Sequence, residues 1–103
     1  MLVYCFDLDG VICGRISDDA YDCTEPRMNI VEHIRRLYKD GNYIKIYTGR
    51  GNKTGKDWKE LTTDQLKEWG VPYHELIMNK PYYDIYIDDK CMHINQYIKE
   101  MKI

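Results

Sequence analysis

The chain has 103 residues, 44% of them hydrophobic, and a formal net charge of −2. That length suits one domain with one core, and the acidic balance argues against broad contact with nucleic-acid phosphates. No apolar stretch is long enough to span a bilayer, and the start MLVYCFDLDG has no basic leader, so no membrane contact and a cytoplasmic location are expected.

In chain order, residues 2–6 form a short apolar run of β-formers and read as a buried strand. It runs into Asp7 and Asp9, one residue apart, with Gly10 behind them. Residues 10–25 are polar and irregular and read as a flap, in which Asp18, Asp19 and Asp22 are surface charges. Pro26 suits a first helical position, and Ile30, Val31, Ile34, Leu37 and Tyr38 then recur at helical spacing. Gly41 ends that helix as a left-handed cap.

Residues 42–47 read as a second strand, which leads into Thr48, Gly49 and Arg50. The loop GNKTGK that follows reads as solvated surface, with a sugar or a second phosphate as alternative occupants. Residues 58–69 read as a helix, with Thr62 or Thr63 as a cap, Gly70 as its stop and both tryptophans as packing residues. YHELI is a third strand, NKP a turn, and YYDIYIDD a fourth strand tipped by Asp88 and Asp89. Residues 91–102 close the chain as a helix with Ile94, Ile98 and Met101 facing inward.

Strands alternating with helices predict an α/β domain with a parallel, Rossmann-like sheet and helices on its faces. Ligands of such sheets bind beyond the carboxyl ends of the strands. There the fold should gather Asp7, Asp9, Asp88 and Asp89, together with Thr48, Gly49 and Arg50 and with Lys80 from the NKP turn. Two carboxylates about 4 Å apart repel by roughly 4 kcal/mol at an effective dielectric near 20. Four of them should take up protons or bind a cation, and an all-oxygen donor set selects Mg²⁺ or Ca²⁺ over zinc. The Thr48 hydroxyl and the N–H groups of the turn after it offer an anion cradle. Arg50 divides evenly between a substrate contact and a surface ion pair. An acid, a divalent cation and a phosphate cradle together point to an aspartyl-phosphate mechanism. Asp7 would attack phosphorus; Asp9 would protonate the leaving alcohol and then activate water.

The four cysteines form no CxxC pair and match no zinc spacing. Cys5 is expected in the core, and a Cys13–Cys23 disulfide is not expected. His33, His74 and His93 fall away from the motifs and read as structural.

FDLDGV, IYTGR, NKP and IDD resemble, in that order, the four motifs of the haloacid dehalogenase superfamily of phosphohydrolases. The resemblance implies Asp7 as nucleophile and metal ligand, and Asp9 as general acid/base donating its backbone carbonyl to Mg²⁺. It implies Thr48 as the phosphate-binding hydroxyl and Lys80 as the bridge between nucleophile and phosphate. Asp88 would bind the metal, with Asp89 a further ligand or its support. Residues 61–90 are also similar to small phosphatases of capsule and surface-polysaccharide biosynthesis. Val11 stands where that superfamily often has threonine, and Asn79 where glycine is common. No stretch is long enough for an inserted cap domain, so the site should be open, which leaves a homo-oligomer with a neighbouring subunit as lid as an option. The implied activity is Mg²⁺-dependent hydrolysis of a small phosphorylated sugar or polyol. The alternatives are a phosphatase of a phosphorylated macromolecule and a phosphoacceptor signalling domain.

Overall fold

The computed structural model describes residues 1–15 and 20–103, and nothing is described of the Cys23 side chain. The expectations for Asp18 and Asp19 lie outside the described residues. The elements are β1 (Val3–Asp7), α1 (Met28–Lys39), β2 (Tyr43–Tyr47), α2 (Lys59–Trp69), β3 (Glu75–Ile77) and α3 (Ile94–Met101), with a short 3₁₀ turn at Tyr21–Cys23. The strands form one parallel sheet in the order β1-β2-β3. The chain is an α/β protein with a parallel sheet, as its pattern predicts.

Register explains where the core lies. Tyr4 pairs with Ile44, Phe6 with Ile46, and Ile46 with Leu76, so these side chains share one face. Ile30, Val31 and Ile34 of α1 and Leu66 of α2 are buried in the same cluster as Phe6, Ile44 and Ile46. Tyr97 of α3 meets Phe6 edge-on, with ring centroids 6.1 Å apart. Two right-handed crossovers stepping the same way along a sheet put their helices on the same side. The helices expected to flank the sheet pack on this cluster, through Ile30 and Ile34 of α1, Leu66 of α2 and Tyr97 of α3. Val3 on the other face is 60% exposed, and Cys5 beside it is exposed rather than in the core.

Helix ends follow the glycines. Gly41 and Gly70 adopt φ of +91° and +71°, the left-handed conformation that only glycine reaches without strain. Starts are less legible. Pro26 lies outside α1, and α2 begins at Lys59, so Thr62 and Thr63 sit inside that helix and cap nothing. The Thr63 hydroxyl donates instead to the Lys59 carbonyl. In α3, Tyr97 takes the inward place expected of Met101, which is exposed.

The three histidines are structural. His33 Nε2 shares a 2.6 Å hydrogen bond with the Tyr97 hydroxyl, tying α1 to α3. His74 Nδ1 accepts from the Ile44 N–H, and its ring stacks on Tyr38 and Tyr43. His93 Nδ1 caps α3 by accepting from the Asn95 N–H.

The fourth strand is the main correction. Residues 82–89 join no strand, and Ile85 and Ile87 are 78% and 91% exposed. Their polar groups bond locally instead. The Tyr82 hydroxyl donates to Asp84, the Tyr86 hydroxyl to Asp88, and Lys90 N–H to Asp88. The rings of Tyr83 and Tyr86 gather around the Lys80 ammonium at 5.2 and 5.3 Å. Alternation of apolar residues makes a strand only where the backbone finds an edge to pair with, and here the tyrosines are drawn to a cation instead.

Two outcomes follow. Hydrogen exchange should be fast at the amides of residues 82–89 and slow at Ile44 and Ile46; equal protection would restore the fourth strand. Burial, and secondarily the charge of Arg36, lowers the His33 pKa below its ordinary 6.5. The unfolded chain then binds a proton more readily than the folded one, so the contribution of His33 is whole above 6.5 and lost as pH falls below it. The melting midpoint should drop between about pH 7.5 and about 5.5, and drop less in His33→Gln.

Candidate functional site

The tips of β1 and β2 and the loop after β3 enclose an open cleft of about 440 Å³, lined among others by Asp7, Asp9, Gly49, Asn52 and Lys80. Its floor is set by the chain directly after β1. Gly10 turns back with φ +92°, and the Leu8 carbonyl accepts from the N–H groups of Val11, Ile12 and Cys13. This tight turn keeps the two acids on one rim. Asp7 Oδ1 accepts from the Leu8 N–H at 2.8 Å, and Asp7 Oδ2 lies 3.9 Å from the Lys80 ammonium.

Asp7 and Asp9 have different surroundings. Burial pushes the Asp7 carboxyl above its ordinary range, and the charge of Asp9 adds to that; Lys80, the Leu8 N–H and Arg15 pull the other way. Asp9 is held from both sides of its carboxylate: Arg50 Nε donates to Oδ2 and Nη2 to Oδ1, each at 2.9 Å. The Cys13 thiol donates to Asp9 Oδ1 at 3.5 Å. Burial, together with Asp9, pushes that thiol up to about 11, which keeps it a protonated donor at neutral pH. Cys13 is a free thiol.

Arg50 lines the cleft but is not a surface ion pair. Its residue is 2% exposed. Its Nη1 donates to Thr62 Oγ1 at 3.0 Å and to Gln65 Oε1 at 2.6 Å, and its guanidinium lies 4.6 Å from the centre of the Tyr21 ring. Gln65 Nε2 in turn donates to the Tyr21 carbonyl at 2.6 Å. The motif reading missed Thr62 and Gln65. Their signal was present: they share a helix stripe with Leu66 and Trp69, and polar residues on a core-facing stripe need a buried partner.

Thr48 lies beneath the cleft rather than in it. It is fully buried, and its Oγ1 accepts from the Arg50 N–H, which removes that N–H from the expected anion cradle. Gly49 does line the cleft. A Cβ there would stand 2.9 Å from Asn52 Nδ2 and 3.3 Å from the Lys80 carbonyl. Asn52 Nδ2 donates to that carbonyl, and Lys80 N–H donates to the Thr48 carbonyl, so the two loops are laced together across Gly49. Asn79 holds φ +66°, a left-handed conformation that asparagine tolerates better than most side chains. Burial alone would lower the Lys80 pKa, but the Tyr83 hydroxyl and the Asp7 charge outweigh it and raise it, so the ammonium persists.

Asp88 and Asp89 do not join this site. Both are exposed, and neither lines the cleft. Among the described residues no three His, Cys, Asp or Glu side chains are grouped to hold a metal ion. The expected meeting of four carboxylates is thus reduced to two, because the segment that carries the second pair does not pair with β1. The loop read as solvated surface, by contrast, supplies a wall of the cleft through Gly51, Asn52, Lys53 and Thr54.

No family model and no curated protein matches the chain. Solved structures do. A crystal structure of a Vibrio cholerae protein is 27% identical, superposes with a TM-score of 0.78, and is matched over 99% of this chain and 94% of its own. Two structures of the Pnkp1/Rnl/Hen1 complex, one described as an RNA repair complex, are 20% and 21% identical with TM-scores of 0.60 and 0.59. This chain spans only 34% and 31% of the chains it matches there, and at that identity the likeness is one of fold. No helix among the described residues is long and apolar enough to cross a membrane.

The Asp9–Arg50 pair can be tested directly. Removing one partner of a buried pair strands the other, so Arg50→Leu should lose about 3–5 kcal/mol of unfolding free energy in urea. The double variant Asp9→Leu/Arg50→Leu should recover part of that loss. Equal stability of Arg50→Leu and wild type would show that the pair contributes nothing.

Proposed function

We propose that the cleft hydrolyses a phosphomonoester, with Asp7 as nucleophile, on the haloacid dehalogenase plan that the four motifs resemble. The carrying observation is the juxtaposition of a half-buried acid, Asp7, with a lysine ammonium 3.9 Å away at the mouth of an open cleft. An Asp7 oxygen attacks phosphorus, and the bond from phosphorus to the alcohol oxygen breaks. Lys80 offsets charge on Asp7 and on the phosphoryl oxygens. Asp9 delivers a proton to the departing alcohol. It then takes a proton from the water that attacks the phosphoaspartate, releasing phosphate and restoring Asp7.

The Asp9 role places a demand on Arg50. With both oxygens accepting from the guanidinium, Asp9 must give up one contact before it can exchange a proton with substrate. Thr62 and Gln65 keep the guanidinium in place while it does so.

The donor set suits Mg²⁺, which binds through one or two carboxylates and keeps several waters. Asp7 would hold it with the backbone carbonyl of Asp9, and Asp88 or Asp89 would join only if residues 82–89 changed their path. Such an ion supplies neutralisation of charge on the phosphoryl oxygens. The absence of an inserted cap fits a small capless member of that superfamily, similar to the capsule-biosynthesis phosphatases. A phosphorylated macromolecular end is the second reading, favoured by the open cleft and by the fold shared with a chain of an RNA repair complex.

Hydrolysis of a chromogenic phosphate ester should require Mg²⁺, stop with a chelator, and fall to background in Asp7→Asn. The same variant should melt at a higher temperature than wild type, because it removes an ionised carboxylate that burial disfavours. A wild type that keeps a stable phosphoryl group without releasing phosphate would make the signalling reading correct instead.

A further inference from the structure

Resting on that phosphatase reading, we propose that the substrate carries a second phosphate group, bound by Arg15 and Lys53 on the cleft walls. The charged groups lining the cleft are Asp7, Asp9, Arg15, Arg50, Lys53 and Lys80. Asp9 and Arg50 neutralise one another, which leaves three cations facing one carboxylate. This excess stands out on a chain whose net charge is −2. Lys80 alone is engaged by Asp7. The reaction assigns no task to the other two cations.

Both cations are aimed at the cleft by local structure. The Arg15 side chain lies over Gly10, where an added Cβ would meet its Nε at 3.6 Å, and its charge is felt at Asp7. Among the described residues it makes no side-chain hydrogen bond or ion pair, so its planar fork remains available for phosphate. The Lys53 ammonium sits 4.2 Å from the centre of the Tyr82 ring, and Tyr82 is itself part of the cleft wall. An exposed cation–π contact is worth only about 0.5–1 kcal/mol, weak enough for an incoming phosphate to displace. The loop bearing Lys53 is anchored at its base by the Asn52 bond to the Lys80 carbonyl. Gly51 takes φ +84° there, and an added Cβ would collide with the Lys56 carbonyl. A cavity of about 440 Å³ has room for a sugar or nucleoside ring between two phosphates. A neutral sugar monophosphate would leave two cations unanswered.

The chemistry is shared by sugar bisphosphates and by nucleoside bisphosphates, so two matched pairs decide between them. Wild-type protein with Mg²⁺ is assayed on a sugar monophosphate against its bisphosphate, and on a nucleoside monophosphate against its bisphosphate. In at least one pair kcat/KM should be roughly tenfold higher for the bisphosphate at low salt, the worth of one charge-assisted hydrogen bond. The advantage should shrink as salt rises, and the pair showing it names the source. Arg15→Gln and Lys53→Gln should each reduce the advantage, whereas Lys39→Gln, at the far end of α1, should keep it.

Calorimetric titration of the same esters into Asp7→Asn protein separates the two claims, because it reads affinity without turnover. Tighter bisphosphate binding that weakens in Asp7→Asn/Lys53→Gln supports the subsite even if wild type hydrolyses nothing, an outcome that would sink the phosphatase reading alone. Equal affinity within both pairs, or a preference untouched by Arg15→Gln and Lys53→Gln, overturns the second phosphate site.

Discussion

The architecture of the cleft depends on one buried ion pair. Arg50, at the end of β2, reaches the Asp9 carboxylate beyond β1, and both guanidinium edges are in use: one holds Asp9, the other holds Thr62 and Gln65 of α2. Taking an arginine out of water is costly, and its attraction to one carboxylate seldom covers that cost unless its remaining protons find partners. Here they do. The result is a brace joining the β1 tip, the β2 tip, α2 and the turn at Tyr21. Asp7 and Asp9 are thereby distinguished. One is loosely paired and open to the cleft; the other is gripped.

Backbone conformation does the remaining shaping. Gly10 turns the chain so that both acids share a rim, Gly49 lets the loop after β2 touch the loop after β3, and Asn79 takes a left-handed φ that aims Lys80 at Asp7. At Gly10 a side chain would strain the backbone, and at Gly49 it would obstruct the neighbouring loop. Residues 51–54 are then a wall of the cleft and the platform of Lys53, which lies in the same groove as Asp7.

A parallel sheet is usually covered on both faces. This one leaves Val3 and Cys5 exposed, and Ile85 and Ile87, outside the sheet, are exposed as well. The apolar alternation of residues 82–87 is that of a strand, yet its tyrosines surround Lys80 and its acids are satisfied within a few residues. The same segment thus fixes the electrostatics of Lys80 and keeps Asp88 and Asp89 away from the cleft.

Much was readable from the chain alone. Three strands, three helices, the glycine stops, the structural histidines and the place of Asp7, Asp9, Gly49 and Lys80 at strand tips all follow from local patterns of burial and backbone freedom, which act over a few residues. The destination of Arg50, the roles of Thr62 and Gln65, the burial of Thr48, the exposure of Cys5 and the path of residues 82–89 were decided only by the fold. Each depends on a partner remote in sequence, as Arg50 does on Asp9, 41 residues away. A motif specifies which groups reach the end of a strand; which of them meet is settled by the competition among all buried polar groups for the few partners that tertiary packing brings within reach.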